Sequence, residues 1–319
     1  MQQSIAVIMA VRNGLPFLDE AIQCVKSQSY SPLELVIVDD GSTDGSLEAL
    51  QNAGLRILQT PSLGPAAARN AGIRATVSDA IAFLDVDDLW APGTLNRLGA
   101  ALGANRSAGF AQGLIQNFRV LEDGSKRFFT SPYRFVNLGA ALFRRSLFDT
   151  VGLLDETLRF SEDVDFLMRC WEKDVRRALV DEVTLYYRRH PDSLTASVES
   201  EGFGAVQAVK RRMDRARHGL YDPKQPRHLP GLEYIGLGPK SHDDEQPGNT
   251  AHGERRKFSL LWKEYATWRH YRKELSHCSY VRFLAERWSV RSTWQVPFVG
   301  AKRVFQKMAE PLRRSQAPV

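Results

Sequence analysis

Leu35-Val36-Ile37-Val38-Asp39-Asp40-Gly41-Ser42 is the stretch that decides the fold class, because an apolar run ends there in two carboxylates and a turn. A second run, Ala80-Ile81-Ala82-Phe83-Leu84, ends in the same way in Asp85-Val86-Asp87-Asp88. Short apolar runs that are bounded by turn residues are typical of buried strands. The two stretches therefore predict two strands of one core, each followed by carboxylates.

Helical patterns alternate with strands along the first hundred residues. The predicted strands cover residues 5–10, 35–38, 55–58 and 80–84, and the predicted helices begin near 16, near 44 and at 66. Ser42 or Thr43 is the expected N-cap of the second helix, since either hydroxyl can accept a backbone N–H. Such alternation predicts an α/β fold in which a mostly parallel sheet carries helices on both faces. Ligands of such sheets bind at the carboxyl ends of the strands.

The two carboxylate clusters are predicted to lie at that edge. Asp is common in turns after strands, so either cluster alone fits an ordinary turn as well as it fits a site. Two clusters at two strand ends favour a site. Adjacent carboxylates repel one another, and a hard divalent cation bound by carboxylate and phosphate oxygens would relieve that repulsion.

Length and composition fit an ordinary globular protein. The chain has 319 residues, of which 43% are hydrophobic and 25% are charged. Its three cysteines are far apart, which predicts neither a disulfide framework nor a zinc cluster. The apolar run at 5–11 is too short for a signal peptide, and no stretch approaches the ~18 apolar residues of a membrane span. We expect a cytoplasmic protein that is soluble or peripheral.

The net charge of +6 is distributed unevenly. Residues 1–199 hold 20 Lys and Arg against 25 Asp and Glu, whereas residues 200–319 hold 23 against 12. The basic character therefore belongs to the last third of the chain. Nucleic acid, a lipid surface, an acidic substrate or a solvated helix face could each account for it.

The chain resembles glycosyltransferase family 2 in five motifs that occur in the order expected of that family. They occupy residues 7–13, 37–44, 64–72, 83–88 and 161–165. The resemblance covers about residues 4–195. It implies a GT-A type, Rossmann-like fold and an inverting transferase that uses a nucleotide-activated sugar with Mn²⁺ or Mg²⁺.

The resemblance also implies a donor site at the end of the first two strands. Asp40 would accept the imide N–H of the base, which favours a UDP-sugar, and Asp39 would brace the turn. Arg69 would bring a cation to the donor, although a structural salt bridge also explains an arginine on a helix. The implied donor-binding residues are Ala10, Val11, Arg12, Asn13, Asp39, Asp40, Arg69 and Asp85.

The metal site implied by the resemblance is the Asp85-Val86-Asp87 motif. Asp87 is the expected direct ligand, and Asp85 is expected to reach the donor sugar or the metal. His190 falls where related enzymes place a histidine near the metal, and an ordinary surface histidine is the alternative. The metal would neutralise the departing diphosphate as a Lewis acid.

Ser161-Glu162-Asp163 opens a predicted helix that continues to Trp171. Physical chemistry alone favours a capping role, because acids are stabilised in the first turn of a helix. The resemblance instead implies that Asp163 is the catalytic base and that Glu162 orients the acceptor. We expect the helix N-terminus to keep Asp163 ionised near neutral pH. A single displacement opposite the diphosphate would then invert the anomeric centre.

Four regions are predicted along the chain. A catalytic domain spans residues 1–220, with a nucleotide-binding half at about 1–107 and an acceptor half at about 108–220 that contains a hairpin turn at 122–125. Residues 221–257 resemble a loop or partly disordered insertion. Residues 258–319 form a basic, aromatic extension, predicted to be largely helical, that either packs on the catalytic domain or contacts a membrane surface.

The predicted function is transfer of a sugar to an acceptor hydroxyl, in the synthesis of a cell-surface polysaccharide or glycolipid. The acceptor would be a saccharide or a lipid-linked saccharide at the inner face of the cell membrane, and no nucleic acid is expected as a partner. The alternatives are a noncatalytic subunit that binds a sugar nucleotide and a nucleotidyltransferase. A nucleotidyltransferase would need a glycine-rich phosphate loop after the first strand, and Asn13-Gly14 is too short for one.

Overall fold

The structure is a computed structural model that describes residues 3–193, 207, 208, 210–212 and 214–220. In chain order the elements are β1 Ile5–Val11, α1 Leu18–Lys26, β2 Leu33–Asp39, α2 Ser46–Asn52, β3 Arg56–Gln59, α3 Pro65–Arg74, β4 Ala80–Phe83, β5 Leu89–Trp90, α4 Thr94–Ala104, β6 Ala108–Val120, β7 Lys126–Phe128, a 3-10 turn Leu138–Ala140, β8 Ala141–Arg144, α5 Arg145–Val151, α6 Glu162–Glu172 and β9 Arg176–Arg188. The insertion expected at 221–257 and the extension expected at 258–319 lie outside the described residues.

One sheet contains the strands of the described residues, in the order β3-β2-β1-β4-β8-β6-β9-β5, with β7 paired to β6. The first four strands in this order are parallel, as expected for strands joined by helices. β8 runs antiparallel to β4 and β6, whereas β6 and β9 are parallel. The sheet is therefore mixed, and the carboxyl ends of β1, β2 and β4 meet at one edge.

Both faces of the sheet are buried, which explains why its inner strands are apolar throughout. On one face, Val7 and Met9 of β1 join a cluster with residues of α1 and α4. On the other face, Ile8 joins a cluster with residues of α3, α5 and α6. Gly72 of α3 lies against Ile8, and a Cβ atom there would come within 2.5 Å of its side chain. Helices thus cover both faces, which confirms the predicted fold class.

The predicted cap of the second helix was wrong. α2 begins at Ser46 with Gly45 as its N-cap, and neither Ser42 nor Thr43 caps it. Ser42 and Thr43 instead bind Asn13: the Asn13 N–H donates to Ser42 Oγ at 3.0 Å, and the Thr43 N–H donates to Asn13 Oδ1 at 2.8 Å. These contacts between two loops outcompete the local cap, and they tie the ends of β1 and β2 together.

The second half of the described chain contains a β-hairpin and a cluster of ion pairs on α6. The predicted hairpin turn at 122–125 is confirmed, because β6 and β7 pair antiparallel on either side of it. Arg215, in the segment 207–220, bonds Asp165 at 2.7 Å and Glu172 at 2.7 Å and 2.9 Å, and both acids lie on α6. Among the described residues, no helix has the length and apolar character needed to cross a bilayer.

Candidate active site

Arg69 joins two acidic motifs that are far apart in sequence. It lies on α3, donates one Nη2–H bond of 2.6 Å to Asp85 Oδ1, and donates another bond through Nη1 to Glu162 Oε1. Its side chain is only 9% exposed. Burial alone would lower its pKa, but the charges of Asp85 and Glu162 outweigh burial and raise the pKa. Arg69 is therefore a permanent buried cation between the end of β4 and the start of α6.

Asp87 lies beside His190, which follows β9. The His190 Nε2 and Asp87 Oδ2 atoms are 3.0 Å apart. Burial, together with the charge of Asp85, raises the pKa of Asp87, and the contact with His190 offsets part of that rise. The Nδ1 atom of His190 is buried and has no hydrogen-bond partner among the described residues. The two residues predicted to meet at a metal therefore do meet.

The donor set at this position suits a divalent cation whose coordination is completed by a ligand. Among the described residues, no group of three or more His, Cys, Asp or Glu side chains could enclose a metal. Asp87 and His190 supply two adjacent donors, and Asp85 lies close enough to Asp87 to raise its pKa. A buried carboxylate whose charge is disfavoured would be stabilised by a cation, and phosphate oxygens commonly complete such shells. The residues present thus fit an open metal site.

Asp163 differs in charge state from the prediction. It lies in the first turn of α6, where its Oδ1 accepts the Val164 N–H at 2.7 Å. Burial and the charge of Glu162 raise the pKa of Asp163 to about 7, although Arg69 lowers it in part. The expectation that the helix N-terminus keeps Asp163 ionised near neutral pH therefore holds only in part, because desolvation outweighs the helix dipole and raises the pKa. A carboxyl group with this pKa can take up a proton at neutral pH.

The two carboxylates at the end of β2 have different surroundings. Both oxygens of Asp40 are occupied by the loop before α3: Oδ1 accepts from Thr60 Oγ1 at 2.6 Å and from Leu63 N at 2.8 Å, and Oδ2 accepts from Gly64 N at 2.7 Å. Asp39 Oδ2 accepts a weaker bond of 3.2 Å from Ser42 N. Asp39 Oδ1 is buried without a hydrogen-bond partner among the described residues. A buried acceptor that lacks a donor is a candidate ligand contact.

The end of β1 forms the neighbouring part of this edge. Val11 is buried, Ala10 is half-buried, and Arg12 and Asn13 are exposed. Asn13 adopts a left-handed backbone conformation with φ 53°, which its contacts with residues 42 and 43 stabilise. The residues predicted for the donor site therefore lie along one edge, and their individual roles remain predictions.

Arg188 is a site residue that was not predicted from sequence, and it contacts Asp88, which was predicted only as a member of the carboxylate cluster. Arg188 is buried at the end of β9, and its Nε donates a 2.6 Å bond to the backbone oxygen of Asp87. Its backbone N–H donates to Asp88 Oδ1 at 2.8 Å. Its guanidinium lies 5.1 Å from the ring centroid of Phe17 and 4.8 Å from that of Phe118. Arg188 thus fixes the backbone of the Asp85–Asp88 motif, which follows β4, although β9 lies three places from β4 in the sheet.

The same arginine extends the network to the β6–β7 hairpin. Arg188 Nη2 bonds Glu20 Oε2 on α1, and Glu20 Oε1 bonds Lys126 Nζ at 2.6 Å on β7. Burial raises the pKa of Asp88 well above its ordinary value, and the charges of Asp87 and Asp85 add to this. The sequence signal for this role of Arg188 was an arginine two residues before His190. Sequence alone cannot reveal that its side chain points to the carboxyl end of β4.

Comparison with known proteins relates the chain to one family. Residues 6–152 match the family model described as Glycosyl transferase family 2. The uncharacterized glycosyltransferase EpsJ of Bacillus subtilis is 29% identical over 215 residues, which are 60% of this chain and 62% of EpsJ. The minor teichoic acid biosynthesis protein GgaA of Bacillus subtilis is 27% identical over 212 residues, which are 59% of this chain and 47% of GgaA. The chain thus spans less than two thirds of either relative.

Solved structures share the fold. Staphylococcus aureus TarS, residues 1–349 in complex with UDP-GlcNAc, aligns with a TM-score of 0.50 and 23% identity over 61% of each chain. The mannosyltransferase PcManGT of Pyrobaculum calidifontis, in complex with GDP-Man and Mn²⁺, aligns with a TM-score of 0.50 and 18% identity over 67% of this chain and 65% of its own. Identities this low establish the fold alone, and that fold is the predicted GT-A type.

Proposed function

We propose that the chain is a glycosyl transferase of family 2, whose family model matches residues 6–152, and that it transfers a sugar from a nucleotide-diphosphate donor to an acceptor hydroxyl, with a divalent metal and with inversion. The observation that supports this most is the buried link from Asp85 through Arg69 to Glu162, next to Asp163 with a pKa of about 7. The link supports the proposal because a leaving group at Asp85 and a proton acceptor at Asp163 would then lie in one small volume, as a single-displacement transfer requires.

The base of the donor would be bound at the ends of β1 and β2, by Ala10, Val11, Arg12, Asn13, Asp39 and Asp40. We propose that Asp39 accepts the imide N–H, because its Oδ1 atom is buried and no described residue donates to it. Asp40 would brace the turn, since both its oxygens are already bonded. These two roles are the reverse of those expected from the resemblance. A UDP-sugar is the proposed donor, and TarS, which has the same fold, was solved with UDP-GlcNAc.

The metal would be Mn²⁺ or Mg²⁺, held by Asp87 and His190, with Asp85 beside them. PcManGT, which has the same fold, was solved with Mn²⁺. When bound, the metal would neutralise negative charge on the diphosphate as it leaves. The 3.0 Å contact between His190 Nε2 and Asp87 Oδ2 supports this assignment, because two ligands of one metal ion lie close together.

In the transfer itself, the Asp163 carboxylate would take the proton of the acceptor hydroxyl. The acceptor oxygen forms a bond to the anomeric carbon as the bond from that carbon to the diphosphate oxygen breaks, and the electron pair leaves on the diphosphate. Attack from the face opposite the diphosphate inverts the configuration. Arg69 would hold Glu162 in place to orient the acceptor and would keep Asp85 directed at the donor.

The acceptor would be a saccharide or a lipid-linked saccharide used in cell-envelope polysaccharide synthesis. The name of GgaA, which assigns it to minor teichoic acid biosynthesis, supports this class.

Two alternative functions predict other products. A noncatalytic sugar-nucleotide subunit would bind the donor without releasing nucleoside diphosphate. A nucleotidyltransferase would consume nucleoside triphosphate and release pyrophosphate.

The test is a panel of UDP-, GDP- and dTDP-sugars incubated with the purified chain, with Mn²⁺ or with a chelator. We expect metal-dependent release of one nucleoside diphosphate, and no pyrophosphate from nucleoside triphosphates.

Calorimetry of UDP with and without Mn²⁺ then tests the metal site. Asp87→Ala should bind UDP as weakly with Mn²⁺ as without it, because it loses an oxygen ligand. An undiminished effect of Mn²⁺ in this variant would contradict the assignment of Asp87.

A further inference from the structure

A cleft opens beside His190, at the end of the β6–β7 hairpin. It has a volume of about 430 Å³ and is lined by Arg119, Phe129, Arg189, His190 and Pro191. Pockets for small ligands commonly measure ~300–1,000 Å³. Because the His190 Nε2 atom lies 3.0 Å from Asp87 Oδ2, the cleft adjoins the proposed metal site.

The flanks of this cleft are fixed by backbone hydrogen bonds around the end of β6. The Phe129 N–H donates to Asn117 O at 3.1 Å, and the Arg189 N–H donates to Phe118 O at 2.9 Å. Arg119 is the next residue of β6. The fold therefore fixes the backbone positions of Phe129, Arg189 and Arg119 relative to one another. The side chain of Arg119 is itself exposed.

The lining of the cleft is positively charged. Its lining contains two arginines and no acid. Arg119 has no ion-pair partner among the described residues, and the residue opposite it on β7 is Arg127. Like charges directly opposite one another destabilise a strand pair. An anion placed against Arg119 would relieve this repulsion, so the arrangement favours an acidic ligand.

The cleft also presents an apolar surface. The Phe129 side chain is 40% exposed. A single exposed aromatic residue is ordinary and indicates nothing by itself. Here the ring lies in the same cleft as two guanidinium groups, a combination that fits a ligand with one apolar face and one acidic group.

We propose that this cleft is the acceptor site and that the acceptor carries an acidic group, a carboxylate or a phosphate, within reach of Arg119. The inference rests on the proposed transfer, which requires an acceptor next to the donor site. Donor diphosphate is a second source of negative charge near His190. The proposal assigns that diphosphate to the metal at Asp87 and assigns Arg119 to the acceptor.

The test measures binding, so it does not depend on turnover. Saturation-transfer NMR on the full chain with UDP and Mn²⁺ compares two pairs of probes that differ in an acidic group: methyl glucuronide with methyl glucoside, and glycerol 1-phosphate with glycerol. We expect at least one acidic probe to bind about tenfold more tightly than its neutral match. Arg119→Gln should remove most of that preference, because bonds to charged groups are strong.

The matched control is Arg106→Gln, which removes one exposed arginine in the turn just before β6, away from the cleft. It should retain the preference, and both variants should bind UDP with Mn²⁺ within about twofold of the parent. Equal binding of acidic and neutral probes by the parent, or no binding of either, would overturn the proposal. A loss of UDP affinity in Arg119→Gln with unchanged probe binding would overturn it too, by assigning Arg119 to the diphosphate. Release of nucleoside diphosphate in the donor panel decides the proposed function separately.

Discussion

Arg69 is the residue on which the arrangement of the site depends. Its guanidinium bonds Asp85 and Glu162, two carboxylates that are separated by 77 positions in the chain. A buried arginine with two acidic partners is costly to remove, because the buried Glu162 would be left without a counter-charge and the partly exposed Asp85 would lose its own. The structural salt bridge, one of the two alternatives from sequence, is therefore present, and the role of the same cation at the donor is a proposal.

The base assignment leads to a prediction for Asp163→Asn. The variant should bind UDP with Mn²⁺ like the parent, because Asp163 contacts the acceptor and not the nucleotide in the proposed mechanism. Transfer should fall by ~10²–10⁴-fold, the usual cost of losing a general base. Calorimetry measures the first quantity and initial rates measure the second, with Asp123→Asn in the exposed hairpin turn as the control. A rate within a few-fold of the parent would leave Asp163 as a helix-capping residue.

The raised pKa of Asp163 predicts an acidic limb in the pH profile of kcat/KM. The rate should fall as pH drops through about 7, because the base must be ionised. Glu162, Arg69 and Asp85 are the charged groups that influence it, and Glu162 contributes most to the rise after burial. Glu162→Gln should therefore move the midpoint of the limb to lower pH, whatever it does to the maximal rate. A midpoint that stays in place or rises would contradict this assignment.

Residue roles could be predicted from the sequence only in part. The motifs identified Asp39 and Asp40 together, but which carboxylate keeps an unbonded oxygen depends on the loop at 60–64, which follows a different strand. The charge state of Asp163 likewise depends on burial by the whole fold, and burial outweighs the local effect of the helix end. Long-range contacts of this kind leave no periodic signal in the sequence.

At the scale of elements, local patterns of apolar residues predicted the bounds of a strand or helix well where turn residues flank it. β1, β2, β4 and α3 were predicted within one or two residues, because each is a single apolar or alanine-rich run. The antiparallel insertion of β8 between β4 and β6 could not be predicted, since strand order depends on which faces must be buried. β9 brings Arg188 and His190 to the Asp85–Asp88 motif across 100 residues or more.

α6 is held in place by a buried ion cluster, which leads to a stability prediction. Arg215 bonds Asp165 and Glu172, whose side chains are 1% and 5% exposed. Breaking one partner of a buried pair costs ~3–5 kcal/mol, and Arg169 still pairs with Asp165, so Arg215→Met should cost about 2–3 kcal/mol. Equilibrium unfolding in urea measures this free energy.

The control for that measurement is Arg217→Met, in the same segment. The Arg217 side chain is 69% exposed and pairs with Asp214, so its loss should change the free energy of unfolding by less than ~0.5 kcal/mol. Equal destabilisation by the two variants would mean that the segment does not brace α6 through its charges.

At the scale of the whole molecule, charge divides the chain into two parts. Residues 1–199 carry more acids than bases, and they contain the site in which acids would bind metal and take up a proton. Residues 200–319 carry 23 Lys and Arg against 12 Asp and Glu. A segment with more acids than bases is repelled overall by an anionic surface, so we expect attraction to such a surface to come from the last third of the chain.

We therefore predict reversible association of the full chain with anionic vesicles. Each basic residue near such a surface contributes about 1 kcal/mol, and the attraction falls off within a Debye length of ~8 Å at physiological salt. Co-sedimentation should be strong at low salt, weak at high salt and absent with neutral vesicles. A chain that ends at residue 220 should stay in the supernatant. If both chains sediment equally, or neither does, the basic region does not direct the protein to a membrane, and the reason for preferring a lipid-linked acceptor over a free saccharide disappears.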